Sequence, residues 1–142
     1  MDINNLRENQ ENLIKFFELA PMKRTFKMVL TYDKQGCAAF DMPYQEKFNH
    51  ALGSVHGGVI STLLDNAGWF TVAPYYDYWI STVDLQVQFL KHTSGSKLTS
   101  IGEIVKVGKN MSFTRMELFD EEKSKIAVAT GTFLKSSQKI DY

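Results

Sequence analysis

His56-Gly57-Gly58-Val59-Ile60-Ser61-Thr62-Leu63-Leu64-Asp65 joins a glycine pair to an apolar run that carries one carboxylate. The run continues through Asn66-Ala67-Gly68-Trp69-Phe70-Thr71-Val72-Ala73 to Pro74. It predicts a helix over about 56–73. A surface helix would show a polar face, so this one should be wrapped on most sides by the rest of the chain, and Pro74 stops it. An Asp inside such a helix costs free energy unless specific partners hold it. Asp is also an indifferent helix former away from a cap. Two readings of Asp65 stand: a polar core residue bonded to backbone or to Asn66, or a reactive group. The glycine pair favours chemistry, because a helix start offers unpaired N–H groups and a positive dipole end, and glycine lets a ligand approach the backbone closely.

Outward from this helix the chain reads as strands. Val83, Leu85, Val87 and Phe89 alternate with Asp84, Gln86 and Gln88, the period of a half-buried strand. Three more segments follow, at about 97–107, 111–119 and 125–135, separated by the turn-forming stretches Gly108-Lys109-Asn110 and Asp120-Glu121-Glu122-Lys123-Ser124. The simplest topology is a four-stranded antiparallel meander, with Gly102 and Gly131 as bulges or bends. On the other side of the helix, Phe26, Met28, Leu30 and Tyr32 alternate before Asp33-Lys34-Gln35-Gly36, and 37–42 follows, which predicts a hairpin. Residues 43–55 are a loop. Leu6, Leu13, Ile14 and Phe17 recur among charged residues and predict an amphipathic helix over about 5–19, ended by Pro21. The class is α+β, one domain over 1–142 with its sheet packed round the central helix.

Composition removes several functions. Sixteen basic and sixteen acidic residues in 142 cancel, which argues against a nucleic-acid or membrane-surface partner and for a small ligand. One cysteine, Cys37, and three scattered histidines give no metal-ligand spacing, so no metal site is expected. There is no Ser-centred nucleophile elbow and no phosphate-cradling glycine loop. With no signal-peptide pattern and no internal disulfide, a cytoplasmic setting is expected.

With Gly53-x-x-His56-Gly57-Gly58 and Leu63-x-Asp65, followed by Thr82-Val83-Asp84-Leu85, Phe89-Leu90 and Ala129-Thr130-Gly131-Thr132-Phe133, the chain resembles the hotdog-fold thioesterases, in the PaaI-type branch, over about 45–135. The resemblance implies an acyl-CoA thioesterase in which a curved antiparallel sheet wraps the central helix. It implies that the thioester carbonyl rests on the Gly57 N–H, that Asp65 is nucleophile or general base, and that Thr82 helps place water. It also implies a homodimer, commonly a dimer of dimers, and no cofactor, coenzyme A being part of the substrate. Six residues before the family His, where Asn is usual, this chain has His50. His56, Gly58 and Trp69 are further candidates for substrate contact, with Phe70 or Tyr75 beside the acyl group. Lys109, then Arg115 and Lys135, are candidates for the phosphates of coenzyme A.

Spacing adds an independent constraint. Gly57 and Asp65 are eight residues apart, roughly 12 Å of helical rise. One short carboxylate cannot span that, so both can act on one carbonyl only if they come from different chains across a two-fold axis. Other readings remain open: a hotdog dehydratase or hydratase using His50 and Asp65, or a protein that binds acyl-CoA without turnover. Against the dehydratase stands Val55-His56-Gly57-Gly58, where that pattern has Pro-Gly.

Overall fold

The computed structural model of the chain describes residues 3–140. Helices α1 (Ile3–Glu18) and α2 (Pro21–Phe26) precede strands β1 (Val29–Tyr32) and β2 (Ala38–Met42); α3 (Gly57–Val72) follows, then β3 (Tyr78–Phe89), β4 (Leu98–Val107), β5 (Met111–Phe119) and β6 (Lys125–Lys139). All strand pairs are antiparallel in one six-stranded sheet, ordered β1-β2-β4-β5-β6-β3. With α3 packed on this sheet, the expected hotdog architecture is what the chain adopts.

Helix α3 is apolar because the sheet surrounds it. Leu63, Leu64 and Ala67 are fully buried with Phe40, Leu98, Met116, Leu118 and Phe133 from the strands. Polar contacts then fix its height on the sheet. The Ser100 hydroxyl donates to the Leu63 carbonyl at 2.8 Å, and Thr71 Oγ1 donates to Ala67 O at 2.7 Å while accepting the Ala38 N–H at 2.9 Å. Near the far end, the Tyr32 hydroxyl donates to Phe70 O at 2.9 Å. Each bond satisfies a polar group that burial would otherwise penalise.

Three sequence expectations need correction. Strands β4, β5 and β6 do form a meander, but β3 pairs with β6 and not with β4. The connection 90–97 crosses the end of the sheet and is tied to the loop before α3 by Val55 N–H to Thr93 O (2.9 Å) and Ser94 Oγ to Gly53 O (2.8 Å). A Ser/Gly-rich connector of that length can close a hairpin or cross; composition does not distinguish them. Second, Pro21 opens a helix as well as ending one, since proline suits the first helical position. That helix absorbs Phe26, which stacks on Phe48 with centroids 4.7 Å apart, so β1 begins only at Val29.

Third, Gly102 and Gly131 are not bulges; both lie in continuous register, with shifts elsewhere, such as between Ile104 and Lys106. They mark crowded positions. A Cβ at Gly102 would collide with Thr71 Oγ1 and the Ala67 carbonyl, and one at Gly131 would press on Phe133 and Met116. At Gly102 the obstacle is helix backbone, which cannot swing aside. Gly102→Val should therefore cost about 3 kcal/mol in urea unfolding, the upper end of overpacking penalties. Wild-type stability in this variant would mean that the helix can lift off β4.

Candidate active site

The loop leading to α3 is built to deliver its first turn. The His56 N–H donates to Phe48 O at 2.9 Å, the His50 N–H to Ser54 O at 2.9 Å, and the Gly53 N–H returns to His50 O at 2.9 Å. Gly53 has φ +84°, the left-handed region that glycine occupies without strain. His56 is the N-cap, with extended backbone and Nδ1 accepting the Gly58 N–H at 2.9 Å. That bond places the ring proton on Nε2. It also occupies the Gly58 donor, so of the glycine pair only Gly57 keeps an N–H without an acceptor among the described residues. The Phe89 ring lies beside Gly57, 3.2 Å from where a Cβ would stand.

In the same loop, His50 Nδ1 accepts the Leu52 N–H at 3.1 Å, holding the turn and leaving Nε2 as the remaining ring donor. Asn49, which the sequence reading passed over, donates Nδ2 to the Tyr44 hydroxyl at 2.8 Å. Its Oδ1 is buried with no partner among the described residues. The signal that could have found it was only its place next to His50.

Asp65 meets Thr82 directly: Thr82 Oγ1 donates to Asp65 Oδ1 at 2.8 Å, and Oδ2 has no protein partner among the described residues. Strand β3 makes this bond possible through a register shift between Thr82 and Asp84. Before the shift Ile80 and Thr82 face the helix; after it, Leu85 and Val87 are the half-buried positions. An unbroken strand would have put Asp84 and Gln86 inward, because side chains alternate strictly. The bulge thus reconciles a polar site with an apolar stripe. Burial raises the Asp65 carboxyl above the ordinary carboxylate range, and the Thr82 hydrogen bond opposes part of that rise.

Asp65, Thr82 and Trp69 share a half-open cleft of about 360 Å³ with Phe16, Asn66, Phe70, Trp79, Ile80 and Ser81. The expected neighbours Trp69 and Phe70 are therefore at the carboxylate. Tyr75 does not line this cleft. Within one chain, Gly57 and Asp65 remain about two turns apart on a continuous helix, as the spacing requires. Lys109 is exposed in the β4–β5 turn, whose Gly108 carbonyl accepts from Tyr76 at 2.6 Å, at the opposite end of α3 from Gly57. The Lys135 ammonium sits 4.8 Å over the Tyr78 ring. Arg115 lines a separate concavity of about 720 Å³ on the outer face of the sheet, with Glu103, Glu117, Gln86 and Gln88. That space is larger but holds neither Asp65 nor Thr82. Among the described residues no group of His, Cys, Asp and Glu is placed to hold a metal ion, and no helix is long and apolar enough to cross a membrane.

Residues 52–127 match the family described as the Thioesterase superfamily. The medium/long-chain acyl-CoA thioesterase YigI of Escherichia coli is 30% identical over 101 residues, covering 61% of this chain and 65% of that protein, so the match spans just under two thirds of the relative. Acyl-coenzyme A thioesterase 13 of Pongo abelii is 25% identical over 116 residues, covering 77% and 79%. Among solved structures, the Escherichia coli PaaI protein from the phenylacetic acid degradation operon superposes with TM-score 0.85 at 16% identity, over 97% of this chain and 98% of that one. A thioesterase family protein from Silicibacter pomeroyi gives 0.81 at 22%, over 91% and 96%. More than half of the sequence fits the family pattern and nearly all of the backbone follows solved relatives, so the chain belongs to the thioesterase superfamily.

Proposed function

We propose that the protein hydrolyses acyl-CoA thioesters, with no cofactor, at a site shared between two copies of the chain. The observation that carries this reading is Asp65: a carboxylate with one oxygen held by Thr82 and the other without a partner among the described residues, in an aromatic cleft, on a helix whose Gly57 N–H is about 12 Å away. The Gly57 N–H of one protomer polarises the carbonyl and stabilises the oxyanion. Asp65 of the other either attacks the carbonyl carbon or takes a proton from water as its oxygen adds there. Collapse of the tetrahedral centre breaks the C–S bond, and the thiolate of coenzyme A leaves and gains a proton; where Asp65 attacks, water then cleaves the acyl–Asp65 anhydride, releasing the acid and restoring the carboxylate. The names of the two curated relatives support acyl-CoA as the substrate class.

Pairing of two chains is supported by β3. It is an edge strand, and it bears Val83 at 52% exposure and Phe89 at 55%. The alternation read from sequence predicts both as half-buried. A free strand edge carrying apolar side chains is a surface that seeks a partner. Phe89, beside Gly57, lies on that same strand, so a two-fold contact there would bring one chain's helix start toward the other's cleft.

The test is thiol release from a panel of alkyl and aryl acyl-CoA esters, followed across pH. Hydrolysis is expected, with kcat falling as pH drops through an acid limb above the ordinary carboxylate range, because Asp65 acts only when ionised and burial raises its pKa. Thr82→Val removes the bond that favours the anion, so that limb should move to higher pH. Hydration of crotonyl-CoA without thiol release, or binding without turnover, would refute the reading.

A further inference from the structure

We infer that helix α1 sets the length of acyl group the enzyme accepts, with Phe16 as the specificity-determining residue. The inference rests on the reading above that the cleft at Asp65 receives the acyl group. One end of that cleft is polar, at Asp65 and Thr82; the rest is aromatic, formed by Phe16, Trp69, Phe70 and Trp79. The rings make a continuous wall. Trp69 packs on Phe70 with centroids 4.7 Å apart and on Trp79 at 4.9 Å, and Phe16 meets Trp79 edge-on at 6.3 Å. The Trp69 indole N–H is already bonded to Ile80 O at 2.8 Å, so that wall recognises apolar surface.

Phe16 is the one member of this wall that neither α3 nor β3 supplies. It lies outside the 52–127 segment matched by the family pattern. Its position is nonetheless fixed. Its neighbour Phe17 is buried against Phe40 at 5.1 Å and Phe70 at 5.4 Å, Leu13 is fully buried, and Asn9 Nδ2 bonds Pro74 O at 2.8 Å. The Phe16 ring itself stays 40% exposed, an apolar surface held over the cleft. A rigid ring there stops an unbranched or aryl acyl group; removing it opens room for further methylenes. Each methylene buried in new space raises kcat/KM about fourfold.

The experiment is a kcat/KM profile over saturated acyl-CoA esters from four to sixteen carbons, plus phenylacetyl-CoA, for wild type, Phe16→Ala, Phe16→Leu and Asp65→Asn. The partly exposed position lets the variants fold, which circular dichroism checks. The optimum in Phe16→Ala should move two or more carbons longer, with about a tenfold or greater gain for the longest esters, and Phe16→Leu should fall between. An unmoved optimum, or an equal fall at every length, overturns the inference provided Asp65→Asn is inactive. If Asp65→Asn hydrolyses at the wild-type rate, the assignment of the reaction to the Asp65 cleft has failed, and the inference goes with it.

Discussion

Asp65→Asn is expected to lower kcat for thioester hydrolysis by about 10³-fold, within the range that a positioned acid-base group contributes, while leaving the fold as stable or more so. The amide keeps the shape and still offers Thr82 an oxygen, but it neither attacks a carbonyl nor takes a proton from water. The stability half follows from the direction of the Asp65 shift. A carboxyl whose pKa is raised by burial is more easily kept protonated in the folded protein, so ionisation works against folding. Its contribution is intact below the unfolded carboxylate pKa and is lost as pH rises through the raised folded value. Stability of the variant relative to wild type should therefore climb across that window and level off above it. Thiol release and urea unfolding at several pH values measure both halves. Hydrolysis within tenfold of wild type, or marked destabilisation at neutral pH, would make Asp65 a structural residue.

Gly57→Pro removes the donor the site needs, and narrows the approach to it, while leaving the helix start intact. Gly57 is the first residue of α3, where proline is well accepted, and His56 before it already has the extended backbone that proline demands. What disappears is the free N–H. Loss of a comparable oxyanion donor costs roughly 10²- to 10³-fold in kcat, about 3 to 4 kcal/mol. Gly57→Ala separates the two effects: it keeps the N–H and adds a Cβ that asks the exposed Phe89 ring to give way by a few tenths of an ångström, so the loss it shows reports obstructed approach and the further loss in Gly57→Pro reports the missing donor. Mixing variants then tests who supplies what. Random pairing of Asp65→Asn with Gly57→Pro chains makes half the dimers mixed, each with one intact site of two, so about a quarter of wild-type activity should return. If both groups acted within one chain, mixing would restore nothing.

How much of this was legible beforehand can be judged residue by residue. Helix α3 could be read because an uncharged apolar run between a glycine pair and a proline has few other fates, and its limits fell within a residue of those expected. That Asp65 and Thr82 belong to one site followed from the family motif; the direct bond between them, seventeen positions apart in sequence, did not. Harder were features that depend on competition between surfaces. Whether β3 sits beside β4 or β6 depends on where the connection 90–97 is tied down, by Val55 and Gly53, contacts with no local pattern. Gly102 looked like a bend because strand glycine usually weakens strands; its reason is a helix carbonyl from a distant part of the chain.

By itself the sequence determined the long elements, the buried helix, the carboxylate within it and the separation that forbids Gly57 and Asp65 from serving one carbonyl in one chain, since periodicity and helical rise are local properties of the backbone. Only the tertiary structure decided that Ser100 bonds the Leu63 carbonyl, that a bulge beside Val83 turns Thr82 toward Asp65, and that Phe16 reaches the cleft. Those facts arise where segments far apart in the chain compete for the same space and the same hydrogen bonds, and no window of sequence contains both competitors.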